Sequence, residues 1–147
     1  MVEESRFVLK EVLTILMDAN DKLHEDFKHL AGPIPVHKYV RDFRTIRVGA
    51  GQRMGQTITI QQLATADDLI VTYGEEGEVH RLDARIKPCV VHKDYVLNAD
   101  RRRALSERRW SRIWIDYASA WDFTYEALDN VYADFVKDAD QQFILLG

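Results

Sequence analysis

The stretch "RTIRVGAGQRMGQTITIQQLA", residues 44–64, decides how this chain folds. It begins with an alternating apolar segment that ends at Gly49, a pattern typical of a β-strand. Small and polar residues follow up to Gly55. The next segment, "QTITIQQLATA", is predicted to be the start of a helix after this loop, although its threonines and isoleucines would also suit a strand. The stretch therefore predicts a strand, a glycine-containing loop and a helix in succession.

The rest of the chain continues this alternation of strands and helices. Further strands are predicted at "DDLIVTYGEE" (67–76), 112–117 and "QQFILLG" (141–147). Further helices are predicted at "VHKYVRDF", "NADRRRALSERRW", with Asn98 or Asp100 near its start, and "DFTYEALDNVYADFVKDAD". The less regular part between them suggests a hairpin return around Gly74 and Gly77 and a short buried strand at 89–91. Strands separated by helices predict an α/β fold, with a small, mainly parallel sheet flanked by helices.

Residues 5–32 predict an N-terminal helix that ends at Gly32-Pro33. Its apolar stripe has spacings of four and three and predicts a core-facing surface formed by Leu9, Leu13, Leu16, Asn20, Leu23, Phe27 and Leu30. Two alternatives remain open. The stripe could be a helical pairing surface with Asn20 as its polar register position, or Asp18 or Asn20 could cap a second helix and split the segment.

Length and composition indicate one domain without membrane-spanning segments. The 147 residues suit a single core, with residues 1–32 as a helical extension and 43–147 as the α/β part. The apolar runs are too short to cross a bilayer, and the acidic N-terminus does not resemble a signal peptide. Cys89 is the single cysteine and fits a reducing compartment, so a cytoplasmic protein is expected. The net charge of -4 argues against a uniformly basic nucleic-acid binder.

The loop after the first strand has nearly the pattern of a phosphate-binding loop, G-x-x-x-x-G-K-[ST]. Ala50 and Gly55 take its two small positions, and Thr57 takes the position of the hydroxyl residue. Such a loop works because backbone N–H groups converge on phosphate oxygens at the N-terminus of a helix. Gln56 departs from the pattern, which requires a lysine there.

On these residues the chain resembles the P-loop nucleoside triphosphatases, in particular AAA-type, phage terminase and helicase-type ATPases. The apolar segment 113–115 followed by Asp116 is similar to a Walker B strand. The resemblance covers residues 43–147, with 75–105 poorly matched. It implies ATP or GTP as ligand and Mg²⁺ held by Thr57 and Asp116. It also implies a phosphate cradle formed by Ala50, Gly51, Gln52, Arg53, Met54, Gly55, Gln56 and Thr57.

Two departures from the family pattern predict weak chemistry. Gln56 replaces the lysine, and Tyr117 stands where many members have the glutamate that orients the attacking water. Losing one preorganised charged contact costs ~3 kcal/mol of transition-state stabilisation, so hydrolysis is expected to be slow or absent. Arg53 or Arg47 could replace the missing charge. Without a magnesium ion, Asp116 could instead cap the following helix.

The arginine-rich segment 101–112 predicts a second kind of surface, carried by Arg101, Arg102, Arg103, Arg108 and Arg109. These side chains could form a solvated helix face, contact a nucleic-acid backbone in a salt-dependent way, or supply an arginine finger. The alternative function is thus a non-catalytic protein that binds nucleic acid or a partner protein through this segment and the N-terminal helix. An unrelated α+β fold with an accidental loop match is a third possibility. The five histidines show no metal-binding spacing, and Trp110, Trp114 and Trp121 are expected in or near the core.

Overall fold

The sheet consists of parallel strands throughout the part of the chain that the computed structural model describes. These residues are 2–49, 56–72, 88–116 and 125–147, with the side chains of the first helix described from residue 8 onward. The strands are β1 (Thr45–Val48), β2 (Leu69–Thr72), β3 (Cys89–His92), β4 (Arg112–Ile115) and β5 (Gln142–Leu146). Their order in the sheet is β1-β5-β4-β2-β3, and every pairing is parallel.

Helices cover both faces of this sheet. They are α1 (Val2–Phe27), α2 (Val36–Phe43), α3 (Gln56–Leu63), α4 (Lys93–Leu97), α5 (Ala99–Leu105) and α6 (Tyr125–Phe135), with a 3-10 turn at Lys28–Ala31 after α1. The predicted α/β class is therefore confirmed, as are the strand and the helix predicted on either side of residues 50–55, which lie outside the described ranges. Helix α3 resolves the helix-or-strand ambiguity of "QTITIQQLATA" in favour of helix. A short helix, α4, had no counterpart among the predicted elements. Within the described ranges, no helix has the length and apolarity that crossing a membrane requires.

Alternate residues of each strand enter two separate apolar layers. Ile70 and Trp114 belong to the layer under α1 and α3, whereas Val71 and Ile115 belong to the layer under α2, α4 and α6. Trp114 is fully buried, as expected for a strand covered on both faces. Helix α3 leads from β1 toward β2 on one face, while α6 leads from β4 back to β5 on the other. The two connections run in opposite directions along the sheet and lie on opposite faces, so they share one handedness, as the rule for parallel crossovers requires.

Helix α1 is continuous, so the prediction that Asp18 or Asn20 caps a second helix is wrong. The predicted core stripe is only half right. Leu9 and Leu13 are buried against the sheet, but Leu23 and Phe27 are each more than half exposed, and the buried residue in that part of the helix is His24. The reason is that α1 extends past the ends of the strands, where the side chains that face the protein meet polar groups rather than an apolar layer.

The region around β3 follows the sequence expectations closely. The predicted strand at 89–91 is β3, and Asn98 is the N-cap of α5, where its side chain accepts a hydrogen bond from the backbone N–H of Arg101 at 3.0 Å. Trp110 is buried as predicted. The hairpin return expected around residues 74–77 and the position of Trp121 lie outside the described residues.

Candidate functional site

The carboxyl ends of all five strands lie at one edge of the sheet, and two predicted site residues meet there. Asp116 follows β4, and its backbone N–H still bonds to the carbonyl of Val71 in β2. Thr57 lies in the first turn of α3. The Thr57 hydroxyl Oγ1 donates to the carboxylate Oδ2 of Asp116 at 2.6 Å, a contact between residues 59 positions apart. The length is typical of a charge-assisted O–H···O⁻ bond.

The strand order explains why a helix residue makes this contact. Because β5 lies between β1 and β4, the end of β1 is two interstrand spacings, about 9.6 Å, from the end of β4. The chain therefore reaches Asp116 only after it has passed through the loop and entered α3. Asp116 is 2% exposed, and Gln56, the first residue of α3, is 1% exposed. Both polar side chains are thus shielded from solvent at the loop end of the sheet.

The hydrogen bond between Thr57 and Asp116 does not support the alternative that Asp116 caps the following helix. The following described helix, α6, begins only at Tyr125, whereas the carboxylate is held by Thr57 on the opposite face of the sheet. A hydroxyl and a carboxylate are oxygen donors of the kind that Mg²⁺ prefers, and adjacent ligands of an octahedral Mg²⁺ lie about 2.9 Å apart. The two oxygens at 2.6 Å are already joined by a hydrogen bond, so the types of donor present, and not their separation, fit the ion that the family resemblance implies.

The rest of the predicted cradle lies outside the described residues. This applies to Ala50, Gly51, Gln52, Arg53, Met54 and Gly55, and to Tyr117. The described part of the predicted site is therefore Gln56, Thr57 and Asp116. The phosphate-binding role of residues 50–55 remains a prediction from their sequence pattern.

Arg47, one candidate for the missing positive charge, lies near a different group. It is an exposed residue of β1. Because Ile46 enters the layer under α1 and α3, the alternation of side chains along β1 places Arg47 on the opposite face of the sheet, away from α3. On that face, burial raises the pKa of the Tyr132 hydroxyl, while its hydrogen bond with Thr45 and the positive charge of Arg47 oppose that rise.

The arginine-rich segment makes mostly internal contacts. Arg102 is nearly buried, and its Nε lies 2.5 Å from the carboxylate of Asp134. Arg109 pairs with Asp138 at 2.5 Å, and this contact lowers the pKa of the Asp138 carboxyl. Arg108 stacks on Trp110, and Arg101 stacks on Tyr95. Arg103 is exposed. The solvated-face interpretation therefore holds only in part, because the segment also fastens α5 and the start of β4 to neighbouring elements.

A polar network that was not predicted closes the opposite, amino edge of the sheet. Arg44 is 4% exposed and donates to Asn20, to Asp21 at 3.0 Å and to backbone carbonyls before β5. Asn20 also donates to the carbonyl of Phe43 at 2.9 Å and accepts from Gln142 at 2.8 Å. Asp21, Arg44 and Gln142 of this network border a cavity of about 400 Å³. Asn20 thus joins α1 to the sheet and is not the register position of a pairing surface.

Three side chains at this edge have the donor types of a metal site. The ligand atoms of His24, Glu25 and Asp140 lie within 4.8 Å of one another. However, His24 Nε2 contacts Asp140 directly at 2.7 Å, and its Nδ1 contacts the Tyr39 hydroxyl at 2.8 Å. Both ring nitrogens are therefore already used, and the cluster is explained as a link between α1, α2 and the start of β5.

No protein-family model, curated protein or solved structure matches the chain when it is compared with them.

Proposed function

We propose that this chain is a degenerate P-loop nucleotide-binding protein, which binds the phosphates of ATP or GTP together with Mg²⁺ and hydrolyses the nucleotide slowly or not at all. The observation that carries the proposal is the 2.6 Å contact between Thr57 and Asp116 at the carboxyl edge of a parallel sheet. Ligands of open α/β sheets bind at this edge. Thr57 and Asp116 belong to two separate sequence motifs, and the hydrogen bond between them supports a common site.

Each described residue has a distinct role in this proposal. The amino end of α3 contributes to phosphate binding in this proposal, because the N-terminus of a helix favours anions. Thr57 and Asp116 hold Mg²⁺, which supplies positive charge next to the phosphates when it is bound. Gln56 can donate a hydrogen bond but has no charge, so it contributes to binding much less than a lysine would. Slow turnover follows, because charge stabilisation is the main catalytic contribution in phosphoryl transfer.

Calorimetric titration tests the proposal. The wild-type protein is titrated with non-hydrolysable ATP and GTP analogues, with and without Mg²⁺, alongside Thr57→Val, Thr57→Ser, Asp116→Asn and Gln56→Lys. We expect Mg²⁺-dependent binding that Thr57→Val and Asp116→Asn abolish, that Thr57→Ser keeps and that Gln56→Lys tightens. Absence of binding by both the wild type and Gln56→Lys, with the fold intact by circular dichroism, would refute the proposal.

A non-catalytic interaction protein is the second candidate, and the exposed apolar face of α1 favours a protein partner for it. Leu23 and Phe27 are exposed on that face. Binding of a nucleic-acid backbone has weaker support, because Arg102 and Arg109 are engaged in internal ion pairs. Salt-dependent DNA binding that survives Thr57→Ala and is weakened by Arg103→Ala would favour this candidate over the nucleotide-binding one.

A further inference from the structure

Helix α1 and the turn after it carry apolar side chains that the rest of the described chain leaves exposed. Between 39% and 67% of each side chain is accessible in a set formed by Val8, Val12, Ile15, Leu23, Phe27 and Leu30. They lie three or four residues apart, except for the two turns between Ile15 and Leu23, where the exposed Ala19 continues the same face, and so they form a single stripe that ends in the 3-10 turn. Scattered exposed apolar residues are ordinary, but a contiguous stripe of this length marks an interaction surface.

The positions of these residues are nearly symmetric about Ala19, which is itself exposed. Ile15 and Leu23 lie four residues before and after Ala19, and Val8 and Leu30 lie eleven residues before and after it. A two-fold axis through Ala19 therefore places an apolar residue of one copy opposite an apolar residue of a second copy. An isologous interface requires this kind of self-complementarity.

The carboxyl half of the stripe borders a groove that a second helix can contact. Around this half of α1, the side chains of Leu23, Phe27 and Leu30 line one side of an apolar groove of about 330 Å³, and Phe43 lines the other. The amino half presents Val8, Val12 and Ile15 to solvent. In an antiparallel pair the amino half of each helix meets the grooved half of the other, and the small Ala19 allows close approach at the centre.

Charges near the centre agree with the same pairing. Asp18 and Lys22 are exposed on one flank of the stripe. In the antiparallel arrangement the Asp18 carboxylate of one copy lies near the Lys22 ammonium of the other, and the two-fold axis repeats the contact. Farther out, Glu11 of one copy approaches Asp26 of the other, which limits the affinity. A single helix pair also forms a small interface, since a standard protein–protein interface buries about 800 Å² per partner.

From these observations we propose that α1 is a homodimerisation helix, which pairs antiparallel with α1 of a second copy around Ala19. The inference does not depend on nucleotide binding, because the stripe and the Thr57–Asp116 contact share no residue. Association is reversible and depends on protein concentration.

Sedimentation velocity from low to high micromolar concentration measures this association. We expect the wild-type mass to rise from one chain to two. Ala19→Glu places uncompensated charges at the centre and weakens association by about tenfold or more. Thr14→Glu is the matched control, since Thr14 is exposed on the same helix outside the stripe, and it should dimerise like the wild type. A wild-type protein that stays monomeric over the whole range overturns the proposal, whatever other partner it binds.

Cysteine cross-linking in a Cys89→Ser background tests the direction of pairing. Ala19→Cys should form a disulfide-linked dimer under mild oxidation, and a mixture of Ile15→Cys and Leu23→Cys should form the heterodimer. Ile15→Cys alone should not cross-link, because its two copies are displaced by eight residues, about 12 Å, along the helix axis. Efficient self-linking of Ile15→Cys would indicate parallel helices and overturn the antiparallel pairing.

Discussion

Replacement of Thr57 by valine measures how much the Thr57–Asp116 hydrogen bond contributes to the stability of the fold. Valine keeps the shape of threonine and its β-branching but removes the hydroxyl that donates to Asp116 at 2.6 Å. The Asp116 carboxylate is 2% exposed, so water cannot easily replace the lost donor. Removing one partner of a buried hydrogen bond costs about 1–3 kcal/mol, and we expect a loss near ~2 kcal/mol.

Urea unfolding followed by circular dichroism measures this loss, together with thermal unfolding, where the midpoint should fall by roughly 4–8 °C. Thr57→Ser keeps the hydroxyl and is the control, with a smaller loss caused by the missing methyl group. A double-mutant cycle with Asp116→Asn should give a coupling free energy of about 1 kcal/mol or more. A Thr57→Val protein within about 0.5 kcal/mol of the wild type, with no coupling, would refute the reasoning.

Two further predictions concern the arginine-rich segment. Arg102→Met leaves the partly buried carboxylate of Asp134 without its ion-pair partner, and it should lower the free energy of unfolding by about 3 kcal/mol. Arg103→Ala, at an exposed neighbouring position, is the control and should change the free energy of unfolding by less than about 0.5 kcal/mol. Equal effects of the two changes in urea unfolding would contradict the internal role assigned to Arg102. The hydrogen bond from Arg109 lowers the pKa of Asp138 in the folded protein below its ordinary value of 3.8. The contribution of this pair to the free energy of unfolding is therefore present above pH 3.8 and is lost as the pH falls through the lower pKa of the folded state. The stability difference between wild type and Asp138→Asn should therefore shrink only below about pH 3.8, and a difference that does not change with pH would argue against the pair.

Local patterns predicted most of the secondary structure. The segment 44–64 predicted β1 from its alternating residues and the glycine after them. It predicted α3 from its place after the loop pattern, although the threonines and isoleucines of α3 would also suit a strand. The core of β4 was equally clear from its apolar residues. The weaker prediction at residues 89–91 was also correct, since the β-branched pair Val90-Val91 favours a strand.

The side chains that join distant elements were harder to predict. Arg44 gave no sign in the sequence that it would be buried, because its partners come from α1 and from the start of β5. The burial of His24 in place of Leu23 has the same origin: periodicity identifies an apolar stripe, but it does not tell which neighbouring element covers it. Arg102 and Arg109 likewise appeared to belong to a solvated cluster until their acidic partners, about thirty residues later, were placed beside them.

The sequence alone determined the α/β class, the strand and the helix on either side of residues 50–55, and the separate candidacy of Thr57 and Asp116. The tertiary structure decided that these two residues meet, because their contact depends on β5 lying between β1 and β4 in a parallel sheet. It also decided which face of α1 is left exposed. Hydrophobic periodicity and loop composition act over a few residues of chain, whereas these contacts join residues tens of positions apart and exist only once the order of the strands is set.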